Sequence, residues 1–379
     1  MILTILKFLP FALIMLTLIF GGHYFLYRSL MRFFNVDNKR LKNIVFTVFL
    51  LLAAAPFPAM TLAHTSQGGF AKWFYIFTAV WLGLAINLLL AAAAIRLVIW
   101  LMRRLKISFN ARLFAGGVFA IALIFSVFGF WTAFHPQVKN IDISIKNLPR
   151  EWQGKTVIQL SDVHLGHIHG ASWLQDVVNK VNAQNPDLIL ITGDLFDGMD
   201  GDLNVFIKPL SNLRAKQGIF FITGNHEIYL GVNETLEILE QTGVKVLNNE
   251  IFNLDGLQII GLAYPTTNDS AGITGKNNDE GSILDSLNFD KTKPSILMYH
   301  APINIEQAAS IGINLQLSGH THKGQIWPFE IIHRLIYGRY YYGLHTLGDF
   351  SIYTTNGVGT WGPPMRTTGA AEIPAFRLE

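Results

Sequence analysis

The chain has no cysteine among its 379 residues. Disulfide bonds, thiolate metal ligands and cysteine nucleophiles are therefore excluded, so any metal site must use oxygen and imidazole ligands. The absence leaves the cellular compartment open, because cysteine-free chains occur on both sides of bacterial membranes.

Charged residues are also scarce, at 15% of the sequence, and acidic residues are almost missing from its first part. Up to Pro136 there are 12 Lys and Arg residues but a single acid, Asp37, whereas the rest holds 17 basic and 25 acidic residues. This asymmetry indicates a basic membrane part, residues 1–136, followed by an acidic soluble domain, residues 137–379. We expect no nucleic-acid partner.

Four stretches of the first part lack charged side chains and are long enough to cross a bilayer as helices, which takes about 20 residues. They cover residues 8–27, 43–63, 73–95 and 113–134. Buried helices of a soluble core are the alternative, but four such runs leave no polar face for water. The sequence therefore predicts an all-α, four-helix transmembrane region, a multi-pass protein of the cell membrane and contact with membrane lipids.

The basic residues between these stretches predict their orientation. They concentrate in the first and third loops, at Arg28, Arg32, Lys39, Arg40 and Lys42, and at Arg96, Arg103, Arg104, Lys106 and Arg112. The positive-inside rule places both loops in the cytoplasm. With four spans, both chain ends and the soluble domain are then expected to be extracytoplasmic.

The soluble part alternates between short apolar runs and amphipathic segments, which predicts an α/β domain with largely parallel strands. The predicted strands are 138–145, 156–160, 188–191, 219–223, 259–262, 296–299 and 315–317, and the predicted helices are 172–183 and 234–241. The polar segment 267–281 is predicted to be a surface loop.

Clusters of metal-ligand type follow five of these strands. They read Asp162-Val163-His164, Gly193-Asp194-Leu195-Phe196-Asp197, Gly224-Asn225-His226-Glu227, His300 and Gly319-His320-Thr321-His322. Because the carboxyl ends of parallel strands meet at one edge of a sheet, these groups can converge in one pocket. Two divalent ions in such a pocket can polarise a phosphoryl group and lower the pKa of a bridging water.

Two neighbouring residues of the third cluster suit this chemistry. The neutral carbonyl oxygen of Asn225 limits the negative charge beside the metals and leaves a positive seat for phosphate. His226 comes directly after it and is free to act as an acid or base.

In these five blocks the sequence resembles the calcineurin-like metallophosphoesterase superfamily, whose pattern is DxH, GDxxD, GNH[ED], H and GHxH. It is similar to the membrane-anchored bacterial branch, which also shares a segment like Asn356–Arg366. The resemblance covers the soluble domain and implies an αββα sandwich of two mixed sheets. The membrane part contributes nothing to it.

The resemblance also implies roles for single residues. One metal ion would be held by Asp162, His164, Asp194 and His322, and the second by the bridging Asp194 together with Asn225, His300 and His320. His226 would assist the leaving oxygen, and Asp197 would hydrogen-bond His226 and fix its tautomer. The ligand set suits manganese best, with iron or zinc as alternatives.

Two basic residues are weaker candidates for substrate contact. Lys323 stands where the superfamily often has glycine, and it would contact a substrate phosphate or point into solvent. Arg366 would clamp a phosphate with two parallel hydrogen bonds.

These features predict a metallophosphoesterase in which a metal-bridging hydroxide attacks a phosphoester that is lipid-linked or derived from the cell envelope. They do not separate monoesterase, phosphodiesterase and pyrophosphatase activity. One alternative is a cytoplasmic-facing nucleotide-diphosphate-lipid pyrophosphatase. Another is a membrane sensor or scaffold with a vestigial site, although the intact ligand set argues against decay.

Two further segments each have a structural and a functional interpretation. His167 and His169 either line the pocket or, as we expect, lie on a solvated loop. The aromatic segment 328–342 is expected to form an amphipathic helix that covers the sheet, and the alternative is a membrane-proximal lid.

Overall fold

The computed structural model describes residues 2–66, 68–198, 201–265, 284 and 287–379. The segment 267–281, predicted as a surface loop, lies outside the described residues. The chain divides into two compact units, Met1–Phe130 and Trp131–Glu379. The boundary predicted after Pro136 stays a prediction.

The first unit is built from long apolar helices, as expected from its uncharged runs. They are α1 (Ile2–Phe33), α2 (Lys39–Ala54), α3 (Pro56–Thr65), α4 (Gly69–Arg104) and α5 (Ala111–Phe134), the last of which continues into the second unit. By length and hydropathy they provide four candidate membrane spans: Ala12–Phe33, Lys39–Thr65, Gly69–Arg104 and Ala111–Phe134. The prediction of four apolar helices before the soluble domain is confirmed.

The second unit contains two six-stranded mixed sheets. The first has the order β1-β12-β2-β3-β4-β5, built from Gln137–Ile143, Glu372–Leu378, Thr156–Leu160, Leu188–Thr192, Ile219–Ile222 and Val244–Val246. The second has the order β10-β11-β9-β8-β7-β6, built from Gly343–Leu347, Phe350–Thr354, Leu315–Ser318, Ser295–Met298, Leu257–Gly261 and Glu250–Leu254. Strands β2 to β5 are parallel to one another, and so are β7, β8, β9 and β11.

The helices of this unit are α6 (Ala171–Asn182), α7 (Ile207–Ser211), α8 (Asn225–Leu230), α9 (Val232–Leu239), α10 (Ile305–Ile311) and α11 (Phe329–Tyr337). Four of them, α6, α7, α9 and α10, cover the outer faces of the sheets. One apolar cluster joins the first sheet to α6, α7 and α9, and another joins the second sheet to α10. The central strands are buried on both faces, which explains why they read as continuous apolar runs.

A third apolar cluster lies between the two sheets and includes Leu190, Phe220, Ile259, Leu315 and Phe376. The layers are therefore helix, sheet, sheet and helix, which confirms the predicted αββα sandwich. Packing face to face fixes the strand ends of one sheet relative to those of the other. Both sheets can thereby contribute side chains to one edge.

The packing between the sheets predicts the effect of Phe376→Ala. Phe376 is fully buried, and its ring meets Tyr353 of the other sheet edge-on at 5.2 Å. Removing the ring leaves a cavity, so we expect the free energy of unfolding to fall by about 3–5 kcal/mol. Denaturant unfolding of the detergent-solubilised chain measures this. Arg377→Ala, at the exposed next position of the same strand, is the control, and an equal loss in both variants would contradict the account.

Candidate metal centre

The five clusters follow strand ends and come together across both sheets. Asp162 follows β2, Asp194 follows β3, and Asn225 begins α8 after β4, while His300 and His320 follow β8 and β9 of the other sheet. The two sheets meet here directly, because Nδ1 of His300 lies 2.8 Å from the main-chain oxygen of Thr192. All seven predicted metal ligands border this one edge.

One group of potential ligands consists of Asp162, His164 and His322, whose nearest donor atoms all lie within 4.8 Å of one another. The Nε2 atoms of the two histidines are 3.0 Å apart, and Nε2 of His322 is 3.3 Å from Oδ1 of Asp162. Imidazole nitrogens and a carboxylate oxygen aimed at one point suit a borderline divalent cation.

The second group consists of Asp194, His300 and His320, again within 4.8 Å. Nε2 of His300 lies 3.1 Å from Oδ2 of Asp194, and Nδ1 of His320 lies 2.9 Å from Oδ1 of Asn225. The same Asp194 oxygen is 3.9 Å from Nε2 of His164, which belongs to the first group. Asp194 thus stands between the two groups.

The residues present fit metal ions by a second test as well. Nε2 of His300 is fully buried, and it faces Oδ2 of Asp194 at 3.1 Å without the geometry of a hydrogen bond. Buried polar atoms in native proteins are almost always satisfied, so such an atom needs an explanation. A metal ion bound by His300 and Asp194 would supply the missing partner.

The main chain at the ligands is strained. Five of the seven lie in the left-handed region, with φ between 47° and 69°: Asp162, His164, Asp194, His320 and His322. Non-glycine residues rarely adopt this conformation, and each costs of order 1–3 kcal/mol. Such strain persists where the surrounding structure enforces it, which is typical of functional sites.

Glu227, the last residue of the GNHE motif, stabilises the backbone conformation of these loops. Its buried carboxylate accepts hydrogen bonds from four amides, those of Gly224, Asp194, Leu195 and Phe196, at 2.7–3.1 Å. The carboxylate thus joins the loop after β3 to the loop after β4. Sequence reasoning assigned Glu227 no role, although its place in the motif marked it.

The loops after β3 and β4 approach each other so closely that residue 224 must be glycine. A Cβ atom on Gly224 would lie 2.2 Å from Oδ1 of Asp194 and 2.6 Å from its amide nitrogen. No other residue fits there without moving Asp194. The glycine of the third motif is therefore a requirement of ligand placement.

Charge and burial set the protonation of the ligands. Burial opposes the charge on Asp194, but His300 and other nearby histidines hold the pKa of Asp194 well below the usual carboxyl range. Burial lowers the pKa of His320 to about 3, so its imidazole is neutral at physiological pH. Against burial, Asp194 and Asp162 raise the pKa of His300 to about 9, which shows that this position attracts positive charge. Metal ions bind ionised carboxylates and neutral imidazoles, so a cation bound at His300 would take the place of its proton.

Asp197 contacts His226, but through its main chain. Nδ1 of His226 lies 2.6 Å from the Asp197 carbonyl oxygen, so Nδ1–H donates to it. The Asp197 carboxylate instead lies 3.4 Å from Nδ1 of His164. The contact still fixes the tautomer of His226 and leaves its Nε2 available.

The two weaker candidates for substrate contact occupy different surroundings. The ammonium of Lys323 lies 4.4 Å from the centre of the Tyr342 ring, in a cation–π contact. Arg366 is buried, and its guanidinium donates to the main-chain carbonyls of Asn356 and Gly359 and lies 3.3 Å from Nδ1 of His322. Their predicted phosphate contacts stay predictions.

The expectation of a solvated loop at His167 and His169 is wrong, because both side chains are buried. The amide of Thr360 donates to Nε2 of His169 at 3.0 Å, and the ring packs on Trp173 at 4.1 Å. Burial lowers the pKa of His169 to about 3, so it is a neutral structural residue. Local polarity could not reveal the segment around Thr360 that covers it.

Known proteins are similar in sequence to this unit. A family model described as calcineurin-like phosphoesterase matches residues 155–324. An uncharacterized metallophosphoesterase of Campylobacter jejuni is 35% identical over 251 residues, which cover 64% of this chain and 63% of that protein. A further uncharacterized metallophosphoesterase, from Helicobacter pylori strain J99, is 34% identical over 258 residues, with 66% and 67% covered.

One relative extends the similarity into the apolar unit. It is the bovine (Bos taurus) transmembrane protein with metallophosphoesterase domain, which is 30% identical over 351 residues, covering 88% of this chain and 77% of that protein. The chain therefore spans about two thirds to three quarters of the length of these relatives.

The Glu227 contacts predict the outcome of Glu227→Gln. Glutamine keeps one accepting oxygen but replaces the other with an NH2 group that only donates, so at least one buried backbone donor would lose its partner, at a cost of about 1–3 kcal/mol. We expect a lower melting temperature and a lower metal content by elemental analysis. Glu237→Gln, on the exposed side of α9, should change neither quantity. Unchanged metal content and stability in Glu227→Gln would contradict the assigned role.

Proposed function

Because this chain belongs to the calcineurin-like metallophosphoesterases, we propose that it is a metal-dependent phosphohydrolase with a two-ion centre. The observation that carries the proposal is the convergence of Asp162, His164, Asp194, Asn225, His300, His320 and His322 on one edge of the two sheets. A site that had decayed would have lost ligands, so this set argues against a sensor or scaffold.

The ligands divide between two positions that share Asp194. Asp162, His164 and His322 would hold one ion with it, and Asn225, His300 and His320 would hold the other. Two ions held there would polarise the phosphoryl group of the substrate and lower the pKa of a bound water. Nitrogen and carboxylate ligands without thiolates suit manganese, with iron or zinc as alternatives.

His226 is proposed to assist departure of the leaving group. Its Nδ1–H is occupied by the Asp197 carbonyl, so His226 would act as an acid in its imidazolium form, which gives the proton on Nε2 to the leaving oxygen and becomes the neutral ring with its proton on Nδ1. Its ring is 4.5 Å from that of His164, and His226 forms a third group of donor atoms within 4.8 Å together with His164 and Asp194. We assign it the role of acid and not of ligand. A positioned acid of this kind typically contributes 10²–10⁴-fold to the rate.

The substrate class is proposed from the surroundings of the site. Two exposed aromatic side chains lie beside His226, Tyr229 at 5.4 Å and Trp361 at 6.0 Å between ring centres. They offer apolar surface to the organic group of a phosphoester. Together with the apolar helices of a membrane protein, this supports a lipid-linked or envelope phosphoester.

For Arg366 we propose a positioning role in place of a phosphate contact. Its buried guanidinium holds the loop around Asn356 and Gly359 against the backbone and ring of His322. Donors that are already engaged with carbonyl groups are not free to clamp a phosphate. The residue would therefore act through His322.

The role of His226 predicts that His226→Ala loses roughly 10²–10⁴-fold in the rate of metal-dependent hydrolysis. Its metal content should stay at the wild-type level, because His226 is not among the proposed ligands. Hydrolysis of p-nitrophenyl phosphate and of its diester, measured with added manganese, tests this. His345→Ala, a histidine of strand β10, is the control. Undiminished turnover in His226→Ala would refute the role, and a wild-type protein without hydrolysis would favour a sensor.

We also propose that the protein crosses the cell membrane four times, with the catalytic unit extracytoplasmic. The basic first and third loops support this orientation through the positive-inside rule. Reporter fusions after Glu379 should therefore be active with a periplasm-dependent enzyme such as alkaline phosphatase and inactive with a cytoplasm-dependent fluorophore. The opposite pattern would overturn the orientation and favour the cytoplasmic-facing pyrophosphatase.

A further inference from the structure

Helix α11 (Phe329–Tyr337) begins seven residues after His322, the end of the last ligand-bearing motif, and has two distinct faces. At the spacing of an α-helix its apolar side chains fall within an arc of about 160°. They are Phe329, Ile331, Ile332, Leu335 and Ile336. Glu330, His333 and Tyr337 occupy the opposite arc.

The apolar face of an amphipathic helix usually packs against the protein, but the apolar face of α11 points outward. Its apolar side chains are exposed, from 40% for Phe329 to 81% for Leu335. The side chains of Glu330, His333 and Tyr337 are each only partly exposed. The expectation that this helix covers the sheet with its apolar face is therefore wrong, since no residue of α11 is buried.

Specific contacts hold the polar face against the catalytic unit. The Tyr341 hydroxyl donates to Oε1 of Glu330 at 2.8 Å, and the Tyr337 ring meets the His320 ring edge-on at 6.0 Å. At Gly324 a Cβ atom would lie 2.2 Å from the amide nitrogen of Glu330, so the start of the helix is pressed against the metal-binding loop. The outward direction of the apolar arc is thus fixed by packing.

We propose that the apolar face of α11 docks onto the surface of a lipid bilayer. A short helix with one apolar arc, aromatic residues and cations at its border is the signature of an interfacial helix. Here Trp327 is 50% exposed just before the helix, and the exposed Arg334 and Arg339 can meet lipid phosphates. A membrane is available, because the catalytic unit follows directly on the last of four helices apolar enough to span one.

A second copy of the chain explains the same face less well. A standard protein interface takes about 800 Å² from each partner. The arc is carried by a single nine-residue helix and, with Trp327, offers six exposed side chains, whereas a standard interface uses about 20–30 residues from each partner. Insertion to the level of the headgroups requires only that apolar side chains leave water.

Such docking would hold the metal centre next to the membrane surface. Tyr337 and Glu330 connect the helix to His320 and to the metal-binding loop, so the lipid-facing helix is also a wall of the site. Phosphate groups of membrane lipids would then lie beside it. The docking itself does not depend on the proposed hydrolysis and is tested without it.

Because the chain has no cysteine, a single introduced thiol can be spin-labelled uniquely. We would place the label at Leu335→Cys and, in a second variant, at Ile331→Cys, in the full chain reconstituted into nanodiscs of phosphatidylcholine and phosphatidylglycerol. Collision with oxygen, which concentrates in lipid, is compared with collision with a water-soluble nickel complex. We expect a several-fold higher oxygen-to-nickel ratio at both positions than at Val205→Cys, a control site on the same unit that is 48% exposed.

Each other outcome would overturn the proposal. Nickel access equal to that at Val205→Cys means that the arc faces water. Low access to both reagents means that protein covers it, with dipolar broadening if the cover is a second copy and without it if the cover is another part of the chain. His333→Cys, on the opposite arc, should not report lipid, and a lipid signal there would show that the helix itself is displaced.

Discussion

The centre of this molecule depends on carboxylates that accept backbone amides from neighbouring loops. The carboxylate of Glu227 accepts hydrogen bonds from four backbone amides in the loops after β3 and β4. Asp162 follows a strand of one sheet, and His320 follows a strand of the other. The amide of His320 donates a hydrogen bond to Oδ1 of Asp162 at 2.9 Å. Burial raises the pKa of Glu227 to about 7, and the hydrogen bonds from the amides of Gly224 and Phe196 oppose that shift because they stabilise the charged carboxylate. Hydrogen bonds to a charged acceptor are about twice as strong as neutral ones. They hold ligand residues in left-handed conformations that an isolated loop would leave.

The sequence predicted those features that depend on local pattern. Strand β2 begins and ends at the predicted residues, and the ligand motifs follow the strands as expected. Features set by partners far along the chain could not be predicted in this way. The segment around Thr360, far along the chain, covers His169. Asp197 contacts His226 through its main-chain carbonyl, and because every residue type has that group, the identity of residue 197 does not predict the contact. The outward arc of α11 has the same periodicity as an inward one, so periodicity alone could not orient it.

The two compact units differ in the side chains that they contain. The first supplies apolar helices and almost no acidic groups, whereas the second supplies nearly all the carboxylates and the histidines of the site. Family membership and the ligand set account for a phosphoesterase site. The proposed lipid contact of α11 would connect that site to the membrane through a helix that already touches a ligand.

The central claim is that these dispersed ligands form one centre for two ions. Elemental analysis of the full chain, purified without chelators and supplied with manganese, tests it most directly. The account predicts close to two transition-metal ions per chain in the wild-type protein, with both lost together when Asp194 is replaced by alanine. A wild-type protein that binds no ion, or an Asp194→Ala variant that keeps both, would contradict it.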